Sequence, residues 1–353
     1  FMASITLKNI AIKGISAAVP SHLVKTTDFD FFNESDAENF IKTVGIKERY
    51  MADDKTCASD LCTAAAEQLL MDLNWDKEEI GFLAFESVTA DYRTPPTSCI
   101  IQDRLSLPHS CYTLDLPMGC CGFIYALSVV GSLMMASPSK KGLLLVGDTI
   151  TRMSSPYDKS RVPLFGDCGT AIALEYDENA SDIYIDMETY GEGHSALITP
   201  HSGFRHQVTP ESFIYEDFGN GVKRAPVHSV IEGMNVFAFA ITKPIKALDR
   251  FLKNNNIGKN NDVDYFLIHQ ANQMIVDRVI KKSHIDASKA PLNLDRFANL
   301  GGASIPMLMA TSISDDLRNR PQKLLMSAFG LGLTCGTAYL ETQPMVISNL
   351  IKI

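Results

Sequence analysis

The chain has 353 residues, of which 46% are hydrophobic and 21% are charged. This composition excludes global disorder and predicts either two domains of ordinary size or one large α/β body. The formal net charge of -9 argues against nucleic acid as the main partner, although a local basic patch is compatible with an acidic carrier or a phosphate.

The chain begins without the basic region and long apolar stretch that are typical of a secretory signal. We therefore expect a cytoplasmic protein whose eight cysteines are reduced thiols. Their spacing shows no C-x-x-C pair with matching histidines, so zinc is not expected. The first clear amphipathic helix is predicted over 59–73, with Ser59 as its N-cap and with Leu61 and Leu69 on its apolar face.

A cysteine lies at the next predicted junction between a strand and a helix. The strand ends near Leu116, Pro117 and Gly119 form a tight turn, and an apolar helix follows Cys120. Backbone N–H groups at a helix N-terminus favour a thiolate, and a lowered thiol pKa makes cysteine an effective nucleophile. Taken alone, a free cysteine is more often a small buried side chain. The apolar run over 123–136 is too short to span a bilayer and predicts a buried helix.

Three segments of the first half are similar to three segments of the second half, in the same order. The pairs are 80–85 with 263–268, 142–146 with 323–326, and 168–175 with 335–341, the last pair sharing the sequence Cys-Gly-Thr-Ala. This internal repeat predicts two copies of one α/β unit, in which parallel strands are covered by helices. We place the N-terminal half at 1–178 and the C-terminal half at 179–353.

The segment 188–229 differs from the rest of the chain, being rich in Gly, His, Pro and aromatic residues and weakly periodic. We interpret it as long loops over a site, because a compact domain rarely carries such loops without a functional reason. A second amphipathic helix is predicted over 242–253.

The C-terminal half offers three further candidates for chemistry. His269 follows an apolar strand, and the carboxyl ends of strands commonly build sites in α/β proteins. Asn299 opens a glycine-rich segment that allows close approach of the backbone. Residues 329–334 form a glycine-flanked turn that could aim N–H groups at an oxyanion. Each has an ordinary explanation when taken alone, as a core histidine, a loop or a tight turn.

Together these motifs resemble β-ketoacyl-acyl-carrier-protein synthase III and its relatives in the thiolase superfamily. The similar segments follow the family's order and spacing over essentially the whole chain: Gly45-Ile46-Lys47-Glu48-Arg49, the Cys120 motif, Phe165-Gly166-Asp167, His269-Gln270-Ala271-Asn272, Asn299 and Phe329-Gly330-Leu331-Gly332. The resemblance implies an α/β protein of the thiolase fold, in which duplicated βαβαβ-type halves form a five-layered αβαβα body. It also implies a homodimer.

The resemblance further implies a reaction and its residues. Cys120 would take an acyl group from a thioester, while its own N–H and that of Leu331 hold the oxyanion. His269 and Asn299 would stabilise the enolate formed when a malonyl thioester loses carbon dioxide. That carbanion would attack the acyl-cysteine and give a β-ketoacyl thioester. The implied substrates are acyl-CoA and malonyl groups on a carrier or on CoA, with no cofactor, metal, nucleic acid or membrane span.

Several positions depart from the family's pattern and leave the substrate open. Met274 stands where carrier-dependent members have an arginine, although Lys281 and Lys282 retain basic charge for docking an acyl carrier protein. Phe40 and Val44 stand where the family has a tryptophan that stacks on the adenine of CoA and a nearby arginine.

Lys159 and Arg161 are candidates for contacts with CoA phosphates, with a solvated charge as the ordinary alternative. The family's phenylalanine that limits the acyl pocket from the neighbouring subunit is replaced near Pro95, so the acyl length stays open.

Two other functions also stay open. One is an acyltransferase that makes an ester or amide, or uses a non-fatty-acid primer in specialised metabolism; the other is a non-catalytic subunit of a hetero-oligomer. Retention of His269 and Asn299 favours condensation.

Overall fold

Two mixed β-sheets form the centre of the computed structural model, which describes residues 3–353. Strands are numbered in chain order. The five-stranded sheet consists, from edge to edge, of Ala3–Leu7 (β1), Ile183–Thr189 (β9), Thr334–Glu341 (β16), Lys323–Gly330 (β15) and Tyr265–Ile268 (β14). The seven-stranded sheet consists of Val346–Ile347 (β17), Ile10–Val19 (β2), Cys168–Tyr176 (β8), Lys141–Asp148 (β7), Ile80–Glu86 (β5) and Tyr112–Leu116 (β6), with Ile351–Lys352 (β18) also pairing with β2.

Short strand pairs and helices complete the fold. The pairs are Leu23–Lys25 (β3) with Glu48–Tyr50 (β4), Leu197–Ile198 (β10) with Val230–Ile231 (β13), and Glu216–Asp217 (β11) with Lys223–Arg224 (β12). The α-helices are Glu34–Val44 (α1), Ala58–Leu73 (α2), Thr97–Arg104 (α3), Gly122–Met135 (α4), Gly233–Ala240 (α5), Lys243–Asn254 (α6), Gln273–Lys282 (α7), Leu294–Phe297 (α8), Ser304–Thr311 (α9) and Ser314–Asn319 (α10).

The helices lie in three layers around the sheets. Helices α4 and α9 contact strands of both sheets, so they form the central layer. Helices α2 and α3 cover the outer face of the seven-stranded sheet, and α5 and α6 cover that of the five-stranded sheet. The predicted five-layered αβαβα body is thereby confirmed.

The predicted duplication is visible in the strand pairing. In one sheet β5 is parallel to β7, which is antiparallel to β8, which is antiparallel to β2. In the other, β14, β15, β16 and β9 repeat this order and these directions. The boundary placed after residue 178 falls between β8 and β9, which lie in different sheets. Each end of the chain joins the sheet of the opposite half: β1 pairs in the five-stranded sheet of the C-terminal half, and β17 and β18 pair in the seven-stranded sheet of the N-terminal half.

Local sequence explains most helix positions. Helix α4 is apolar on all sides because it is buried between two sheets, as the run over 123–136 predicts. No helix of residues 3–353 is long and apolar enough to cross a membrane. The prediction over 242–253 agrees with α6 within one residue at each end. The prediction that Ser59 caps α2 is wrong, because Cys57 is the N-cap and the Ser59 hydroxyl donates to Asp91 at 2.8 Å.

Candidate active site

Cys120 lies in a short 3-10 turn, Gly119–Cys121, that joins β6 to α4. Gly119 has a φ of 60°, a left-handed conformation that glycine adopts without steric cost. The turn therefore reverses the chain at the end of the strand and places Cys120 two residues before Gly122, the first residue of the helix. This is the strand–turn–helix junction that the sequence predicts.

The surroundings of Cys120 disfavour its thiolate. Cys120 keeps some accessible surface because it lines cavities, but it lies deep in the protein, and burial raises the pKa of its thiol to about 11. The N–H groups of Leu331 and of Cys120 itself oppose this shift, whereas Asp148 and Glu86 add to it. The expectation of a lowered thiol pKa is wrong, because burial outweighs the N–H groups. The Leu331 N–H nevertheless faces the sulfur, as an oxyanion donor would.

His269 follows the last residue of β14, and its backbone N–H donates to the carbonyl of Ser327 at 2.9 Å. The imidazole is buried and packs edge-on against Phe329, with ring centroids 5.6 Å apart. Burial lowers the pKa of His269 to about 4, so the ring is neutral at physiological pH. Among residues 3–353, Nδ1 has no hydrogen-bond partner.

Asn299 lies between α8 and the 3-10 turn Gly301–Ala303. Its Oδ1 accepts the backbone N–H of Gly301 at 3.0 Å, and its own backbone N–H donates to Leu164 at 3.1 Å. Because the amide oxygen is held in this way, the Nδ2 hydrogens are left to donate to another molecule.

Two cavities meet at Cys120. The first, of about 460 Å³, is lined by Cys120, His269 and Asn299 together with residues of α5 and α7, and we refer to it as the His269 cavity. The second, of about 310 Å³, is lined by Cys120, Asp148 and Arg161 with residues of the loops that begin at Leu197; we refer to it as the Arg161 cavity. The structure thus brings the three predicted side chains to one cavity, and the loops of 188–229 do lie over this region.

Two buried acids lie beneath the Cys120 turn, and the sequence analysis did not single them out. Glu86 ends β5 and is fully buried; a Cβ atom added at Gly122 or Gly302 would lie within 2.2 Å of its carboxylate. Burial and the neighbouring Asp148 raise the pKa of Glu86 well above its usual range. Asp148 ends β7, and burial raises its pKa to about 6. In the sequence, Glu86 and Asp148 each stand at the end of an apolar run, and this pattern could have identified them.

Comparisons with known proteins agree with this architecture. Residues 114–193 match the family model of 3-oxoacyl-[acyl-carrier-protein] synthase III, and residues 252–342 match the model of its C-terminal region. The β-ketoacyl-[acyl-carrier-protein] synthase III of Desulfitobacterium hafniense is 30% identical over 339 residues, which cover 94% of this chain and 98% of the relative. That of Clostridium perfringens is 30% identical over 336 residues, with 95% and 100% covered.

A solved structure gives the same result. The 3-oxoacyl-(acyl-carrier protein) synthase of Burkholderia xenovorans superposes with a TM-score of 0.92 at 33% identity, covering 100% of this chain and 99% of the other. The chain belongs to the β-ketoacyl-acyl-carrier-protein synthase III family. It is therefore an enzyme with the thiolase fold.

In this family member, the residues expected to contact CoA fall into two places. Phe40 and Lys159 line one surface pocket together with Phe31 and Phe32, and the rings of Phe32 and Phe40 lie 5.3 Å apart. Phe31 and Phe32 belong to the run Phe-Asp-Phe-Phe and were not among the predicted CoA contacts. Arg161 does not line this pocket; it is only 6% exposed and lies in the Arg161 cavity.

The predicted docking residues lie on α7. Met274 lines the mouth of the His269 cavity near the start of the helix and is half exposed. Lys281 and Lys282 are exposed at its other end. The helix therefore connects the cavity mouth with a basic surface. Pro95 is exposed and contributes to neither cavity's lining in its own chain.

Proposed function

We propose that this synthase III family member transfers an acyl group from CoA to Cys120 and condenses it with a malonyl thioester, releasing carbon dioxide and a β-ketoacyl thioester. The observation that carries the proposal is the shared wall of the His269 cavity, where a thiol, a neutral imidazole and an amide donor meet. Membership of the family supports the same class of reaction.

In the first step, the sulfur of Cys120 bonds to the acyl carbon, the bond from that carbon to the sulfur of CoA breaks, and CoA leaves with the thiol proton. The N–H groups of Cys120 and Leu331 hold the oxygen that becomes negative during the exchange. Burial, which disfavours the thiolate, does not disfavour the uncharged thioester that replaces it. The site therefore stabilises the acyl-enzyme relative to the ionised free enzyme.

In the second step, the malonyl thioester loses carbon dioxide and its remaining electrons form an enolate. His269 donates Nε2–H and Asn299 donates Nδ2–H to the enolate oxygen. The carbanion then bonds to the acyl carbon, the bond from that carbon to the sulfur of Cys120 breaks, and the sulfur takes a proton from solvent. A neutral His269 suits this role, since its pKa of about 4 keeps it a donor without a charge.

We further propose the partners of the reaction. Phe40 and Lys159 would hold the adenine and a phosphate of CoA at the surface pocket, and Lys281 and Lys282 would dock an acidic acyl carrier protein. A homodimer is supported by β6, the edge strand of its sheet, where Tyr112 is 57% exposed. The reaction as written uses no cofactor. A cytoplasmic location is supported by the eight free cysteines, because reduced thiols are typical of that compartment.

Intact-protein mass spectrometry with a panel of acyl-CoA thioesters tests the first step, with Cys120→Ala as the control that should gain no mass. Carbon dioxide released from labelled malonyl-CoA or malonyl carrier protein tests the second. The proposal fails if no acyl group adds to Cys120, or if the acyl-enzyme forms and no malonyl thioester loses carbon dioxide. Transfer of the acyl group to an alcohol or amine would instead identify an ester- or amide-forming enzyme.

A further inference from the structure

Arg161 lines the cavity proposed to receive the acyl chain, and a charged side chain is unusual in such a position. The residue is buried, with only 6% of its surface exposed. Its guanidinium lies over the ring of Phe165 at 4.8 Å from the centroid, and Nε donates to the hydroxyl of Ser154 at 3.1 Å. Among residues 3–353, Nη1 has no hydrogen-bond partner. A buried guanidinium without its full set of acceptors is costly, and an anion supplied by a ligand would remove that cost.

The charges around Arg161 leave a positive excess. Asp158 is the carboxylate that most raises the pKa of Arg161, but its Oδ2 pairs with Arg224 at 3.5 Å and its Oδ1 accepts the backbone N–H of Ser160 at 3.0 Å. No carboxylate of residues 3–353 lies within ion-pair distance of the Arg161 guanidinium. Asp158 thus pairs with Arg224 and leaves Arg161 without an ion pair.

Asp148, on the same cavity wall, does not neutralise Arg161. Its Oδ1 accepts the Ser87 hydroxyl and the Val88 N–H, both at 2.8 Å. Its Oδ2 faces the backbone of Gly301, where an added Cβ atom would lie 3.0 Å away. Oδ1 is therefore held by hydroxyl and backbone groups, while Oδ2 has no hydrogen-bond partner among residues 3–353, and neither oxygen forms an ion pair with Arg161.

We propose that Arg161 selects acyl groups that carry a second carboxylate, so that the preferred primer is the mono-thioester of a short dicarboxylic acid. The thioester carbon would lie at Cys120 and the distal carboxylate would pair with the guanidinium of Arg161, which lines the same cavity. A planar guanidinium matches a carboxylate with two parallel hydrogen bonds, which a neutral acyl chain cannot make. This inference rests on the proposed acyl transfer to Cys120.

A competition between matched primers tests it. The protein is exposed to equal amounts of glutaryl-CoA and pentanoyl-CoA, which have the same carbon count, and the two acyl masses on Cys120 are compared. We expect the glutaryl group to be favoured roughly tenfold or more in the native enzyme, and the preference to be lost in Arg161→Met. Arg161→Lys, which keeps the charge without the planar fork, should lie between them. Arg320→Met removes an exposed guanidinium elsewhere and should leave the ratio unchanged. A native preference for pentanoyl-CoA, or a ratio that Arg161→Met does not alter, overturns the inference.

A second measurement does not require acyl transfer. Iodoacetamide labelling of Cys120 is followed by peptide mass spectrometry in the presence of pentanoate or pentanamide, which have the same carbon chain and nearly the same shape but differ in charge. Pentanoate should protect Cys120 at roughly tenfold lower concentration than pentanamide, and Arg161→Met should remove the difference. Equal protection by both overturns the inference, whereas failure of both thioesters to load overturns the proposed function.

Discussion

A Cβ atom added at Gly330 would lie 2.5 Å from Sγ of Cys120 and 2.6 Å from its Cβ. Gly330 is the last residue of β15, and the missing side chain leaves the space that the thiol occupies. Its φ of 155° adds to the cost of any other residue. The end of a strand in the C-terminal half thus determines where a side chain of the N-terminal half can lie.

Gly330→Ala should therefore displace the thiol and slow acyl transfer to Cys120 by roughly 100-fold, because misplacement of about 1 Å has such an effect on catalysis. The measurement is the rate of mass gain at Cys120 with a reactive acyl-CoA. Gly191→Ala is the matched control, since an added Cβ there meets no atom within 4 Å. Equal rates in the two variants would contradict the prediction.

Asn299→Asp should selectively impair the condensation step. The Oδ1 of Asn299 is held by the Gly301 N–H at 3.0 Å, so the substitution replaces the free Nδ2 donor with a negatively charged acceptor. Loss of one such donor costs roughly 100- to 1,000-fold. Carbon dioxide release from the preloaded enzyme should fall by this factor, and acyl loading should fall much less. An equal fall in both steps would show that Asn299 acts through the shape of the site.

His269 should stay neutral throughout the usual working range. Since burial lowers its pKa from 6.5 to about 4, protonation of the ring begins only near pH 5. Carbon dioxide release by the preloaded enzyme should then show no decline from this group between pH 8 and pH 5.5. The measurement is a single-turnover pH profile, with loading carried out at one fixed pH. A decline with a midpoint near 6.5 that persists in Asp148→Asn, which removes the neighbouring group with a pKa of about 6, would mean that the imidazole is exposed to solvent in the working enzyme.

Local sequence patterns predicted the elements of the site but not its electrostatics. The turn at Cys120 depends on Gly119 and on the apolar helix that follows, and both are visible in the sequence. The pKa of the thiol depends instead on burial and on Glu86 and Asp148, which β5 and β7 bring beneath the turn. These contacts are long-range, so no local pattern predicts them.

The burial of Arg161 also depends on long-range contacts that local sequence does not predict. An isolated arginine in a loop is ordinarily solvated. The sequence analysis therefore gave Arg161 two interpretations, a solvated charge or a contact with a CoA phosphate. In the structure its guanidinium packs against Phe165, and the loop that follows β10 lines the same cavity. That loop belongs to the segment of weakest periodicity, whose path could not be predicted.

Asp148 provides a test of stability. Its pKa is raised from 3.8 to about 6 in the folded protein, mainly by burial, so folding favours the protonated form. The free energy of unfolding that this group contributes is present at acidic pH and is lost as the pH rises through about 6. Two pKa units correspond to at most about 3 kcal/mol of unfolding free energy. The gain from replacing Asp148 by Asn is smaller by the cost of any hydrogen bond that the new amide fails to make.

Asp148→Asn should accordingly unfold at a higher urea concentration than the native protein at pH 8, because the substitution removes a buried charge while its Oδ1 can still accept from Ser87 and Val88. The difference should shrink towards pH 4.5, where the native carboxyl is itself protonated. Urea unfolding at both pH values provides the measurement, and Asp315→Asn, at a carboxylate that is 90% exposed, is the control. If Asp148→Asn were less stable by the same amount at both pH values, its hydrogen bonds rather than its charge would determine its contribution.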